Sequence, residues 1–451
     1  MTPPRIWLID YELRQQHFNP LVKYLEYDWV FGAARQPAVD RAQPPDMAIV
    51  SDEFDAIVNA AIHDCRRNRI PVLHIVDGIV EWHNTFENPR TLSPERGMPL
   101  FQPIVSDKIA CLGRSQARIL ESWGNAGKCE LVGSARLDRL RGREPRKRDP
   151  CEPFRVLIAT AKKPGFTQER MNHVIRALGD VRDWLKEYGT KGPIKIDPIW
   201  RITGDLESDL GVHSRVSDLS GAELAEVLEN VDALITTPST MLLEGMMQGI
   251  PVVLLDYSNS PRFVPAAWEI TAADHIHGVM TELPDPPQTR KWYQDFILHD
   301  ALECQSPAIE RLTTLVRTMV EIGRQARETQ STPRFPFRIL PATKSGRTPP
   351  EGSFDLEKIY PDHSVFGQRD LRTLQSEVGQ LRLTLKRFEQ RERRLGEELE
   401  TTREALREEE REVERYRITC EHIMRNPAVK AYRKLKRLLR GRADEDEAES
   451  N

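Results

Sequence analysis

The tetrapeptide Thr237-Pro238-Ser239-Thr240 stands between two short apolar runs, 233–236 and 251–255. Threonine caps helices well, and proline suits a first helical position because its missing N–H would be unpaired there anyway. The spacing predicts a helix over 238–248, ended by Gly249 and set between two buried parallel strands. Pro238, Ser239 and Thr240 would open that helix, where free amides and the positive dipole end attract an anion. Glu244 lies four residues beyond Thr240 and shares its helix face. A carboxylate one turn behind an anion site is placed to accept a sugar hydroxyl, so the pair suits a nucleotide diphosphate. An ordinary strand–helix–strand unit with a well-made cap and nothing bound has the same pattern.

The elements that must hold these residues form two alternating series. In the first, strands are expected at 6–9, 47–50, 72–76, 108–112 and 129–132, with helices such as 55–67 and 116–123 between them. In the second, strands are expected at 154–159, 194–196, 214–217, 233–236 and 252–255, with helices near 291–299 and 308–324. Residues 220–223 (SGAE) form a capping box before the strand at 233. Alternation of this kind predicts parallel sheets covered on both faces, with a ligand cleft at the strands' carboxyl ends. The fold class is α/β: a Rossmann-like domain at 1–145, a basic junction, and a second Rossmann-like domain at 150–327.

A Pro-, Ser-, Gly- and Thr-rich linker is expected over 328–365. Beyond it, Leu371, Leu374, Val378, Leu381, Leu385, Phe388, Leu395, Leu399, Leu406, Val413 and Tyr416 recur at steps of three and four among Arg, Glu and Gln. That is a heptad seam, and one helix cannot bury its own seam, so 366–424 predicts a coiled coil and a homo-oligomer through 371–423. Asn426-Pro427 then opens a basic amphipathic helix, 426–443, followed by the acidic tail 444–451. The basic face over 428–442 predicts a peripheral attachment to an anionic membrane surface.

The 451 residues allow two or three domains with real cores. A net charge of −4 gives no general basic balance, so nucleic acid is not an expected partner. Six scattered cysteines without a Cys-x-x-Cys pair predict a reducing cytoplasm, with neither a disulfide framework nor a zinc site. The first residues are too briefly apolar for a signal peptide, and no stretch is apolar enough to span a membrane.

Five segments resemble bacterial GT-B glycosyltransferases of surface-polysaccharide assembly: HIVDGIVEWHNTF (74–86), IACLGRSQARILESWG (109–124), LVGSARLDRL (131–140), VLIATAKKPGFTQE (156–169) and TTPSTMLLEGMMQGIPVV (236–253). The likeness is to the branch with CDP-glycerol glycerophosphotransferases and polysialyltransferase-like capsule enzymes, and more distantly to UDP-N-acetylglucosamine 2-epimerases. It covers about residues 5–325.

The resemblance implies a donor diphosphate on the second domain, held by Lys162, Lys163 and Thr167 together with Pro238, Ser239, Thr240 and Glu244. Gly133, Arg136 and Asp138 match the family's glycine-x-x-arginine-x-aspartate turn. Arg136 either reaches the cleft or pairs with Asp138. Two aspartates replace family histidines: Asp77-Gly78 stands for His-Gly, and Lys195-Ile196-Asp197-Pro198 for Lys-x-His-Pro. Asp77, at the end of a strand, is the expected catalytic base toward an acceptor hydroxyl. His74, Glu81 and His83 are nearby substitutes, and His213 is a further donor-side candidate.

These residues imply a glycosyltransferase that moves a sugar or polyol phosphate from a nucleotide-activated donor to a glycan or lipid-linked acceptor. No metal and no cofactor beyond the donor are expected, since no Asp-x-Asp occurs in either sheet domain. A sugar-nucleotide 2-epimerase and a non-catalytic scaffold acting through its coil are the alternatives. The lost histidines favour the scaffold.

Overall fold

The computed structural model describes residues 2–32, 43–89, 100–149, 151–189, 191–192, 194–212, 224–258, 260–342, 363–432 and 435. The chain divides into two compact units, Met1–Pro361 and Asp362–Asn451.

The first unit holds two sheets. One contains β1 (Arg5–Leu8), β2 (Asp28–Phe31), β3 (Met47–Val50), β4 (Val72–Ile75), β5 (Lys108–Cys111) and β6 (Cys129–Leu131), in the order β2-β1-β3-β4-β5-β6. The other contains β7 (Phe154–Ala159), β8 (Ile196–Arg201), β9 (Ala233–Thr236), β10 (Val252–Leu255) and β11 (Trp268–Ile270), in the order β11-β10-β9-β7-β8. Every recorded pairing is parallel. Strands β3, β4, β9 and β10 are buried along their whole length, which is why β3 and β10 read as unbroken apolar runs and β4 and β9 depart from one only at His74 and Thr236.

Helices cover these sheets: α1 (Tyr11–Tyr24), α2 (Ala56–Arg67), α3 (Trp82–Phe86), α4 (Arg114–Leu120), α5 (Gln168–Tyr188), α6 (Gly204–Leu210), α7 (Leu224–Leu228), α8 (Met241–Met247), α9 (Ala273–Glu282), α10 (Gln288–Ala301) and α11 (Ala308–Glu328). Asp55 caps α2 through Ile57 N at 2.8 Å. The edge strands β2 and β11 mix polar and apolar residues and carry no run to announce them. Strand β8 starts where the 194–196 expectation ends, and it contains Pro198. A proline without an N–H is tolerated there because β8 is an outer strand of its sheet. The expected strand 214–217 and capping box 220–223 lie outside the described residues.

Helix α8 begins at Met241, three residues later than the spacing predicts. Thr237 does not cap it. Its hydroxyl accepts instead from Ala161 N on the neighbouring loop at 3.0 Å, and the Ser239 hydroxyl accepts from Met241 N at 3.3 Å.

The last helix corrects the expected boundary at 327. Leu312, Leu315, Val316 and Met319 of α11 join a core with Ile6, Leu8, Phe18, Met47 and Ile49, so α11 covers the first sheet. Both oxygens of Asp138 cap it, accepting from Ala308 N at 2.8 Å and Ile309 N at 2.9 Å. A Cβ on Gly323 would stand 2.6 Å from Pro71, so the helix rests almost on the backbone of the first sheet domain.

The start of the expected linker is also fixed. Lys108, 1% exposed, lies between Glu130 Oε1 at 2.8 Å and the carbonyls of Gly127 and Pro336 at 2.8 and 2.7 Å. Glu130 accepts in turn from Ile339 N and Leu340 N at 2.8 and 3.0 Å.

In the second unit α12 (His363–Arg425) runs for 63 residues without a break, about 95 Å at ~1.5 Å per residue. Leu395, Leu399, Leu406, Val413 and Tyr416 are more than half exposed along it. Asn426 Oδ1 then accepts from Ala428 N at 2.9 Å, and helix resumes over 427–432. The tail 444–451 lies outside the described residues. No helix among the described residues is long and apolar enough to cross a membrane.

Glu130→Ala should lower unfolding stability by about 3–5 kcal/mol, because it leaves the Lys108 charge buried and unpaired. Urea denaturation of the full chain measures this, and Glu130→Gln, which keeps an acceptor, should lose clearly less.

Candidate functional site

In each sheet the strand order reverses once, between β1 and β3 and between β7 and β9. Parallel sheets bind ligands at the carboxyl edge of such switch points, where loops diverge. Here both edges open into one cleft of about 700 Å³.

The first sheet supplies Asp10 after β1, Asp52 after β3, and Asp77 and Gly78 after β4. The second supplies Lys162 and Lys163 after β7, and Thr237, Pro238, Ser239 and Thr240 after β9. The two lines meet at Thr240, whose hydroxyl accepts from Ile79 N at 3.2 Å. A Cβ on Gly78 would overlap that hydroxyl, so glycine is needed for the approach. Gln116 holds the same loop by donating to Gly78 O at 2.9 Å. The amides of Ser239 and Thr240 donate to no other described residue.

Asp77 is clamped by a residue with no local sequence signal. Helix α1 is kinked at Arg14 (φ −132°, ψ 23°), and the guanidinium reaches Asp77 at 2.8 Å and Asp52 at 3.0 Å. Burial alone would lower the Arg14 pKa, but the two carboxylates outweigh it and hold it above its ordinary value.

Asp10 is fully buried, with both oxygens near Ser51 N at 3.1 and 3.2 Å. Burial, aided by the Asp52 charge, pushes its carboxyl up to about 6. His17, 8% exposed, is driven down to about 4, first by burial. The cations Arg136, Arg14 and Lys162 act with burial, and Asp77 opposes them.

The other candidates are placed as follows. Arg136 does not pair with Asp138; it donates to Glu244 Oε1 at 2.8 Å. Glu244 is 2% exposed, does not line the cleft, and its Oε2 has no partner among the described residues. His74 is 1% exposed, 3.5 Å from Glu53 and edge-on to Phe101, and does not line the cleft. Glu81 lines it while capping α3 through His83 N and Asn84 N at 3.0 and 2.6 Å, and burial raises its pKa. His83 also lines it, held by Glu87 at 2.8 Å and Ser258 at 3.0 Å. Thr167 caps α5 through Arg170 N at 3.3 Å and stands outside the lining, as does Asp197 on β8. His213 lies outside the described residues. No group of three or more His, Cys, Asp or Glu among the described residues is gathered to hold a metal ion.

Asp10, Asp52, Arg14 and His17 are absent from the sequence reading. Asp10 follows an apolar strand just as Asp77 does, so the rule that found one applies equally to the other.

Two Rossmann-like α/β sheets facing one cleft form the GT-B arrangement. Solved structures similar to this chain include a Listeria monocytogenes protein described as a UDP-N-acetylglucosamine 2-epimerase (13% identity, 71% of this chain and 97% of that one, TM-score 0.48). The wall teichoic acid polymerase TagF also matches (13%, 73% and 90%, TM-score 0.43), as does S. aureus MnaA solved with UDP (14%, 74% and 100%, TM-score 0.44). No family model and no curated protein matches by sequence.

Asp10 and His17 should tilt the pH dependence of stability in opposite directions. The Asp10 value of about 6 lies above the ordinary 3.8, so its contribution is present below about pH 4 and is lost as pH rises through 6. The His17 value of about 4 lies below the ordinary 6.5, so its contribution is present above about pH 6.5 and is lost as pH falls through 4. Relative to wild type, Asp10→Asn should gain about 3 kcal/mol between about pH 3.5 and 7, and His17→Gln should lose a similar amount. Denaturant titrations at stepped pH read both differences. If the two run parallel, burial is not what governs these groups.

Proposed function

We propose that this chain is a GT-B glycosyltransferase that moves a sugar or polyol phosphate from a nucleotide-activated donor to a hydroxyl of a glycan or lipid-linked acceptor. One observation carries the reading: two lysines and a hydroxyl-rich turn on one sheet face a group of aspartates on the other, across a single cleft.

The second sheet would hold the donor. Lys162 and Lys163 would meet the diphosphate, and the amides of Ser239 and Thr240 would donate to its oxygens. Negative charge grows on the leaving nucleotide as its bond breaks, on a diphosphate when a sugar is transferred and on a monophosphate when a polyol phosphate is, so fixed cations and donors there favour the transition state over the bound donor. The first sheet would hold the acceptor. Asp77 would take the hydroxyl proton, oriented by the Arg14 contact on its Oδ2. Asp10, poised near neutrality and buried beside the same loops, is a second carboxyl within the cleft that can hold a proton. The exposed seam of α12 supports self-association through 371–423, and the basic residues of 428–442 support contact with an anionic membrane.

Calorimetry against a panel of nucleoside diphosphates should find a ligand that Lys162→Ala combined with Lys163→Ala weakens at least ~10-fold, since hydrogen bonds to charged groups contribute about 1.5–3 kcal/mol each. Release of the product nucleotide, diphosphate from a sugar donor or monophosphate from a polyol donor, should fall ~10²–10⁴-fold in Asp77→Asn with donor binding kept. Binding to no member of the panel would point to the scaffold alternative, and a changed sugar nucleotide as product would point to the epimerase.

A further inference from the structure

Away from the cleft, the end of α10 gathers a thiol, an imidazole and a carboxylate. Asp295 and His299 are four residues apart and share a helix face. His299 Nε2 lies 3.5 Å from Asp295 Oδ1, and its other nitrogen, Nδ1, lies 3.4 Å from Cys304 Sγ. One ring therefore bridges an acid and a thiol, the order in which a carboxylate orients an imidazole and the imidazole takes a proton from sulfur.

The surroundings favour charge separation. His299 stands in the last turn of α10, where carbonyl groups favour a cation. Asp295 and Cys304 push its pKa up to about 10, against burial. The charged groups of the adjoining stretch make contacts of their own. Asp300 is gripped by both terminal nitrogens of Arg118 at 2.9 and 2.6 Å. Glu303 accepts from Gln305 N at 3.2 Å, and Arg141, from the opposite side, donates to Gln305 O at 3.2 Å. The His299 side chain is 23% exposed and Cys304 is partly exposed, unlike the buried Cys65, Cys111 and Cys129.

We propose that Cys304 is an activated cysteine, a modification site for small hydroperoxides. The sulfur attacks the terminal peroxide oxygen; the S–O bond forms as the O–O bond breaks. Sulfur loses two electrons to the peroxide, the leaving alkoxide takes the proton held by His299, and Cys304 becomes a sulfenic acid. The site adjoins the stretch where the chain crosses back to the first sheet: Glu303 N donates to Leu112 O at 2.7 Å, and Gly133 has no room for a Cβ against Glu303 O.

The chain carries its own controls. Cys151 and Cys420 are exposed, and Cys65, Cys111 and Cys129 are buried. The full-length protein is alkylated with iodoacetamide for timed intervals from pH 5.5 to 9, and each cysteine is quantified by mass spectrometry. Cys151 and Cys420 should speed up about tenfold per pH unit below the ordinary thiol value of about 8.5. Cys304, with His299 beside its sulfur, should react faster than either at the acid end and rise less steeply across the range. His299→Gln should restore the steep profile at Cys304, and Asp295→Asn should move it part of the way. Hydrogen peroxide followed by dimedone should label Cys304 ahead of Cys151 and Cys420. A Cys304 profile parallel to the two exposed cysteines overturns the proposal without reference to any variant. So does an unaltered profile in a folded His299→Gln protein, or dimedone labelling that favours the exposed pair.

Discussion

The contact of Thr240 with the Gly78–Ile79 backbone is what turns two sheets into one site. Each sheet alone offers only half of the chemistry: carboxylates on the first, cations and a hydroxyl-rich turn on the second. A hydroxyl bonded to an amide at 3.2 Å leaves no space for a side chain at position 78. That closeness brings Asp77 to the start of α8. Gln116 steadies the loop from behind, accepting from Leu112 N at 2.7 Å while donating to Gly78 O. The geometry at the cleft is therefore set by backbone approach, and the charged side chains are arranged around it.

Those charges are organised by burial as much as by pairing. Arg14 sits between Asp52 and Asp77, while burial drives Asp10, which meets no cation in hydrogen-bond contact among the described residues, toward neutrality. His17 is kept uncharged first by burial and then by Arg136, Arg14 and Lys162, against the pull of Asp77. A cleft wall that mixes a clamped carboxylate with one close to its titration point is suited to moving protons near neutral pH. Behind it, Arg136 and Glu244 tie β9's outgoing helix to the turn after β6, which gives Glu244 a structural partner where a sugar contact was expected.

Much of this arrangement is legible in the residues. Unbroken runs such as 47–50 and 252–255 announce buried parallel strands, and the turn at 237–240 announces the cleft. Sequence is silent where the cause is distant. The stripe Leu312, Leu315, Val316 and Met319 shows that α11 has an apolar face, but nothing local says which sheet it covers. The i,i+4 relation pairs Thr240 with Glu244 on paper, but Thr240 lines the cleft, Glu244 is buried, and a guanidinium 108 residues away occupies the carboxylate. Arg14 looks like any polar residue of a surface helix until the kink aims it inward. Edge strands β2 and β11 are short and of mixed polarity, so periodicity cannot find them.

The latch of Lys108 and Glu130 on residues 336–340 has a bearing on how the molecule is born. Domains tend to fold as they leave the ribosome, amino-terminal first. Here the opening sheet cannot close its core until α11 has been synthesised, nor satisfy its deepest ion pair until residue 340 has emerged. The whole second sheet is made in the interval. The half of the protein that begins first is thus completed last, and a fragment cut at the basic junction would present bare apolar surface and leave Lys108 and Glu130 without their contacts to residues 336–340.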